Sequence, residues 1–213
     1  MDSDNQPTQE KDAEQKSFFS RLWTPIPEII RFIFVALVIV IPIRAYVAQP
    51  FIVNGESMDP TFKNGDYLIV DELTYRFEAP SRGDVVILKY EYGPETVKPY
   101  FIKRIIGLPG ETVIIDGNIV TIKNNSHPNG FVLNEPYIVQ KNFPDQKLSI
   151  TLGPKEFFVM GDNRPHSKDA RIWSATGGAE ALQESDILGR PLLRLYPLST
   201  ASLFPGEFHD YKN

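Results

Sequence analysis

No cysteine occurs in the 213 residues, and the 3 histidines, His127, His166 and His209, stand far apart and form no His-x-x-x-His pair. A metal site built on cysteine or histidine is therefore not expected. The glycine-rich loop that cradles nucleotide phosphates is missing too, so no cofactor is expected. Positive charge is scarce: 22 Lys and Arg stand against 27 Asp and Glu, a formal net charge of −5. Without a basic patch, nucleic acid is not an expected partner. The chain shows no internal repeat, and long hydrophobic runs are lacking everywhere but in one stretch.

That stretch is 29–48. Phe32 to Ile43 are uninterrupted apolar residues, and the only charges, Arg31 and Arg44, lie near the two ends. A helix needs about 20 such residues to cross a hydrocarbon core of roughly 30 Å. Arginines at the ends can snorkel to the headgroups, and Pro42 can kink the helix close to water. A cleavable signal peptide is disfavoured because some 28 mostly polar residues come first and a cut after Ala48 would put Tyr46 where a small residue is wanted. A buried core helix is disfavoured because the run is apolar on every face. Lys11, Lys16 and Arg21 precede the span and only Arg44 and Lys63 follow closely, which points the N-terminus into the cytoplasm. The expected organisation is a polar cytoplasmic tail at 1–28, disordered over 1–16, a transmembrane anchor at 29–48 and one extracytoplasmic domain at 49–213.

Past the span the chain reads as short strands. Tyr67–Val70, Asp84–Leu88, Val97–Ile106, Thr112–Ile115, Asn118–Ile122 and Glu156–Met160 are β-branched or aromatic runs bounded by Gly, Pro, Asp or Asn. Asp116-Gly117 is a type I′ hairpin signal, and Gly178–Glu184 is the best short helix. The expected fold is mainly β, an antiparallel coiled sheet or barrel with a hairpin-rich excursion at about 111–158, preceded by one transmembrane helix.

Two residues carry candidate chemistry. Ser57 sits in the turn Asn54-Gly-Glu-Ser-Met-Asp-Pro-Thr61, between the apolar Phe51-Ile-Val53 and the strand at Tyr67. A loop held by strands can expose and position a nucleophile; a solvated serine is the plainer reading. Lys103 sits in Tyr100-Phe-Ile-Lys-Arg-Ile-Ile-Gly107, where apolar residues on both sides of the Lys-Arg pair predict that one of the two cations points inward. A desolvated lysine can lose its proton and serve as a base, whereas arginine cannot. The third segment, Gly161-Asp-Asn-Arg-Pro-His-Ser-Lys-Asp-Ala-Arg171, packs acids, arginines, an amide and a hydroxyl into one loop, which is costly unless they bond to one another.

Together, Gly55-Glu-Ser-Met-Asp-Pro-Thr61, Lys103-Arg-Ile-Ile-Gly-Leu-Pro-Gly-Glu111 and Gly161-Asp-Asn-Arg164 with Ser167, Asp169 and Arg171, behind an anchor, resemble the type I (leader) signal peptidases of bacteria. The resemblance covers about 49–195. It implies a serine endopeptidase of the cytoplasmic membrane that removes signal peptides from exported preproteins after small residues, as in Ala-x-Ala. Ser57 would be the nucleophile and Lys103 the general base. Ser167 would hydrogen-bond the lysine amine, Asp169 and Arg171 would form a supporting pair, and Asp162 would be a further partner. The N–H of Ser57 would face the oxyanion, and Phe51, Val53, Met58, Phe62, Phe101 and Ile102 would line the substrate pockets.

Three positions depart from the family pattern. Gly55 stands where some members carry an oxyanion-hole serine, leaving the second donor unassigned; Ala170 replaces a serine; and Gly189-Arg190-Pro191 replaces a Gly-Pro pair. Three rival functions remain at this stage. Self-cleaving repressors share the Ser/Lys chemistry but are soluble, a Ser-His-Asp hydrolase would use His166 with Asp169, and an anchored β-domain would bind a partner without cleaving it.

Overall fold

The computed structural model describes residues 27–46, 48–90, 99–139, 146–174 and 179–208. The chain divides into two compact units, Met1–Ala45 and Tyr46–Asn213. In the first, helix α1 (Glu28–Tyr46) carries the apolar run, and its large side chains from Ile29 to Ile41 are exposed. Among the described residues no helix is long and apolar enough to cross a membrane; the side chains of 42–48 are not among those described. The polar tail up to residue 26 and His209 also lie outside the described residues.

The second unit is mainly β. Strands β1 (Ala48–Ile52), β2 (Tyr67–Asp71), β3 (Val85–Lys89), β4 (Tyr100–Gly107), β9 (Glu156–Met160), β10 (Leu182–Gln183), β11 (Ile187–Tyr196) and β12 (Ser202–Leu203) form one antiparallel sheet. Its order is β1-β2-β11-β3-β4-β9-β10, with β12 on the side of β11. Four further strands, β5 (Thr112–Asp116), β6 (Ile119–Lys123), β7 (Phe131–Val132) and β8 (Lys147–Thr151), make a separate sheet in the order β7-β6-β5-β8. This is the expected excursion, and it ends sooner than 158 because β9 returns to pair with β4.

The large sheet has a core on each face. β3 is a continuous apolar run because both of its faces are covered: Val85 and Ile87 join Val53, Met58, Phe62, Leu68, Val70 and Ile102, while Val86 and Leu88 join Ile105, Phe157, Val159 and Trp173. A bulge in β4 between Ile105 and Gly107 puts Ile105 and Ile106 in the same core.

Four local expectations change. The chain leaves the helix by Tyr46, and Ala48 already pairs with Asp71 in the sheet. The loop joining β5 to β6 is Gly117-Asn118, in which only Gly117 has a positive φ (56°), so glycine leads a turn of the II′ kind instead of closing a I′ turn. Of the expected helix at Gly178–Glu184, the described residues hold only the short strand Leu182–Gln183, followed by a 3-10 turn that begins at Glu184: Leu182 pairs with Phe157 and is fully buried, so tertiary pairing overrides the local helical pattern. The longest strand, β11, went unread because Gly189 and Pro191 interrupt it. Gly189 is needed there, since a Cβ would sit 2.1 Å from the carbonyl oxygen of Asp71. Pro191 follows the last β3 pair, at Gly189, so its missing N–H costs no bond to β3.

Candidate active site

β3 and β4 pair in register, Val86 opposite Lys103 and Val85 opposite Arg104. β9 joins β4 only from Arg104 onward, so residues 100–103 run past its end with that edge unpaired by any described strand. The Ser57 turn lies against this edge. Gly55 takes φ +95°, which an L side chain adopts only with strain, and its N–H donates to Asn64 Oδ1 at 3.0 Å. A serine at 55 is thus disfavoured by the backbone itself, and the Gly55 N–H is not a spare donor.

Lys103 Nζ lies 2.8 Å from Ser57 Oγ and donates to the carbonyl of Ile102, also at 2.8 Å. The lysine is 2% exposed, and its Nζ lies 5.6 Å from the centre of the Phe101 ring, which packs on Trp173. No carboxylate pairs with it among the described residues. Desolvation therefore dominates and pulls its pKa from 10.5 to about 8; the carboxylates of Asp169 and Asp162 act against this, and Arg171 with it. The Ser57 N–H has no acceptor among the described residues, so it is available to an oxyanion.

Both cations of the pair are buried, not one. Arg104 is 1% exposed and fully partnered: it forks Asp162 through Nε at 2.8 Å and Nη2 at 2.6 Å, donates to Gly83 O and Gly206 O at 2.7 Å, and has its guanidinium carbon 4.0 Å from the Tyr137 ring centre. Asp162 also accepts from Thr61 Oγ1 at 2.6 Å, tying the Ser57 turn to β4. Asn163 ties it again, its N–H donating to Ser57 O at 3.0 Å and its Nδ2 to Glu56 O at 2.9 Å.

In the 161–171 loop, Arg171 forks Asp169 at 2.7 and 2.8 Å, as expected. Asp162 and Arg164 find their oppositely charged partners outside the loop, in Arg104 and Glu135. Ser167 is brought to the site but does not bond the lysine: its hydroxyl is buried without a hydrogen-bond partner among the described residues. Gly161 makes the close packing possible, because a Cβ there would stand 2.2 Å from Ser167 Oγ and 2.3 Å from Ser57 O. His166 is exposed and Asp169 is occupied by Arg171, so the Ser-His-Asp alternative has no geometry behind it.

A cleft of about 430 Å³ opens beside the pair, lined by Ser57 and Lys103 with Phe51, Val53, Phe101 and Ile102, as expected. Ile52, Leu68, Ile87 and Tyr100 line it as well; the Phe51 and Tyr100 rings meet edge to face at 5.2 Å. Met58 and Phe62 do not line it. They are 1% and 0% exposed in the core beneath, with Phe62 under the Arg194 guanidinium. No group of residues that could hold a metal ion occurs among those described.

Arg104, Thr61, Asn163, Glu135 and Tyr137 also support the site, in roles that local sequence does not announce. Arg104 was legible as half of a cation pair in an apolar strand. Glu135 and Tyr137 lie in the excursion and gave no local signal.

The family model described as "Signal peptidase, peptidase S26" matches residues 26–196. A probable signal peptidase I-1 of Synechocystis sp. is 36% identical over 83% of this chain and 86% of its own length. The signal peptidase I of Leptolyngbya laminosa is 33% identical over 93% of each chain, and that of Bacillus amyloliquefaciens 32% identical over all of this chain and 98% of its own.

Proposed function

Since the chain belongs to the signal peptidase family, peptidase S26, we propose that its signal-peptide-cleaving serine peptidase activity runs on Ser57 as nucleophile and Lys103 as general base. One observation carries this reading: a buried lysine with no carboxylate partner among the described residues lies 2.8 Å from a serine hydroxyl at the end of an apolar cleft. The neutral amine takes the hydroxyl proton as Oγ attacks the scissile carbonyl, and returns it to the leaving amine. The Ser57 N–H receives the developing oxyanion. A preprotein segment can lie extended along the open edge of β4, with small side chains next to Ile102, Phe51 and Leu68. Asp162, Asp169 and Arg171 hold the loop that supports the pair. The Ser167 hydroxyl, without a partner among the described residues, is one that a reoriented lysine amine can use.

The exposed apolar side chains from Ile29 to Ile41 support a single-pass membrane anchor, because such a surface is stable only against lipid or a partner. With more cations before the span than after it, the catalytic unit faces the extracytoplasmic side of a bacterial cytoplasmic membrane. The decisive test is cleavage of a preprotein carrying Ala-x-Ala by full-length wild type, Ser57→Ala and Lys103→Ala in detergent. Cleavage by the wild type alone, with all three folded, is expected; turnover by either variant at the wild-type rate refutes the assignment.

A further inference from the structure

Glu135 lies just past β7, two residues beyond the buried Leu133, and belongs to the small sheet's side of the molecule. Its carboxylate nevertheless reaches the catalytic loop. Oε1 accepts from Arg164 Nη2, and Oε2 accepts from Nη1 at 3.2 Å, with the two side chains 8% and 2% exposed. Tyr137 Oη donates to Oε1 at 2.8 Å, and the same tyrosine's ring lies against the Arg104 guanidinium.

Arg164 is itself fastened at two points. Its Nε donates to Gly161 O at 3.2 Å, and its own carbonyl accepts from Arg171 Nη2 at 2.7 Å. Arg171 forks Asp169, Asp169 Oδ2 accepts the Gly161 N–H at 3.0 Å, and the next turn of the loop holds Ser57 O through the Asn163 N–H at 3.0 Å. Direct contacts thus run without a gap from the excursion to the nucleophile. A buried ion pair is poor evidence of stability for its own sake, and fixing one arrangement among several is its better-attested use.

We infer that Glu135 is a positioning residue for the reaction: by clamping Arg164 it holds the 161–171 loop in the form that packs against Ser57 and turns Asp169 toward Lys103. This rests on the reading of Ser57 and Lys103 as the reacting pair. The charged groups acting on Lys103 are Asp169, Asp162 and Arg171, and those meeting Glu135 are Arg164 and, through its hydroxyl, Tyr137. Without the carboxylate, Arg164 keeps its charge and has Asp169 as its remaining acidic neighbour. Added positive charge, and the pull on Asp169, both make Lys103 easier to deprotonate. Glu135 does not line the cleft, so substrate binding is spared.

The test follows kcat, KM and the pH profile of preprotein cleavage from pH 6 to 10 for full-length wild type, Ser57→Ala, Glu135→Gln, Glu135→Asp and Tyr137→Phe, with folded fraction read by circular dichroism. Glu135→Gln is expected to lose roughly a hundredfold in kcat, the scale that a misplacement of about 1 Å at a catalytic centre can reach, with KM unchanged and the rising limb moved to lower pH. Glu135→Asp recovers part of the loss. A Glu135→Gln enzyme with the wild-type kcat and limb, or one whose loss only tracks its folded fraction with an unmoved limb, overturns the inference. Should Glu135→Gln fail to fold, Tyr137→Phe decides: a severalfold fall in kcat at constant KM is expected, and a wild-type kcat overturns it. A wild type no faster than Ser57→Ala sinks the reading of the reacting pair and this inference with it.

Discussion

On one face of β4 Lys103 is buried beside a hydroxyl, a carbonyl and an aromatic ring; on the other face, one residue along, Arg104 is buried among a forked carboxylate, two carbonyls and a tyrosine ring. Both cations are withdrawn from water to the same degree. The difference lies in what replaces the water. Arg104 receives a full set of acceptors and keeps its charge, so it cements the sheet to the Ser57 turn through Asp162. Lys103 receives too few, so shedding the proton becomes its cheapest response to burial, and that proton affinity is what the proposed reaction would draw on. Burial alone therefore does not mark a reactive group; burial with incomplete partnering does.

The comparison breaks hardest at Lys103. Lys103→Met, like Ser57→Ala, should cost at least ~10⁴-fold in kcat/KM, the scale seen when a member of a nucleophile–base unit is removed. Asp162→Ala turns the Arg104 side into an unpaired buried cation and should destabilise the fold by roughly 3–5 kcal/mol, read as a lower Tm or urea midpoint. The two faces should respond in opposite senses. Lys103→Met is expected to stabilise the protein by up to about 3 kcal/mol below pH 8, because the depressed pKa measures the strain of holding a charged lysine there. The sign follows from linkage. Between about pH 8 and 10.5 the unfolded chain binds the proton and the folded one does not, so wild-type stability climbs with pH and the advantage of methionine fades by the upper limit. At the small end, Thr61→Val removes one hydroxyl from Asp162 and should cost about 1 kcal/mol with activity only modestly lowered.

Much of this was legible in the residues. Apolar runs bounded by turn residues located β2, β3, β5, β6 and β9 to within a residue or so, because alternation and β-branching act locally. The strand β11 was hidden by Gly189 and Pro191, which read as breakers; their reasons are the close approach of Asp71 and the lapse of β3 pairing, and both are tertiary. At the site, the flanking apolar residues foretold an inward cation at 103–104. They did not foretell two, because the second is accommodated by Asp162, nearly sixty residues away. Met58 and Phe62 look like pocket residues by position, yet the turn folds them inward to the core under Val53 and Leu68. The Glu135–Arg164 pair had no local signature, since an acid beside a proline in a hairpin-rich segment is ordinary until its partner is seen.

In the proposed reaction Lys103 works as a neutral amine because its surroundings keep it dry. The most direct measurement is kcat/KM for preprotein cleavage as a function of pH. The rate is expected to rise tenfold per pH unit at low pH and to level off above an apparent pKa of about 8. A profile flat from pH 6 to 10, or a limb centred near the ordinary lysine value of 10.5, would contradict it.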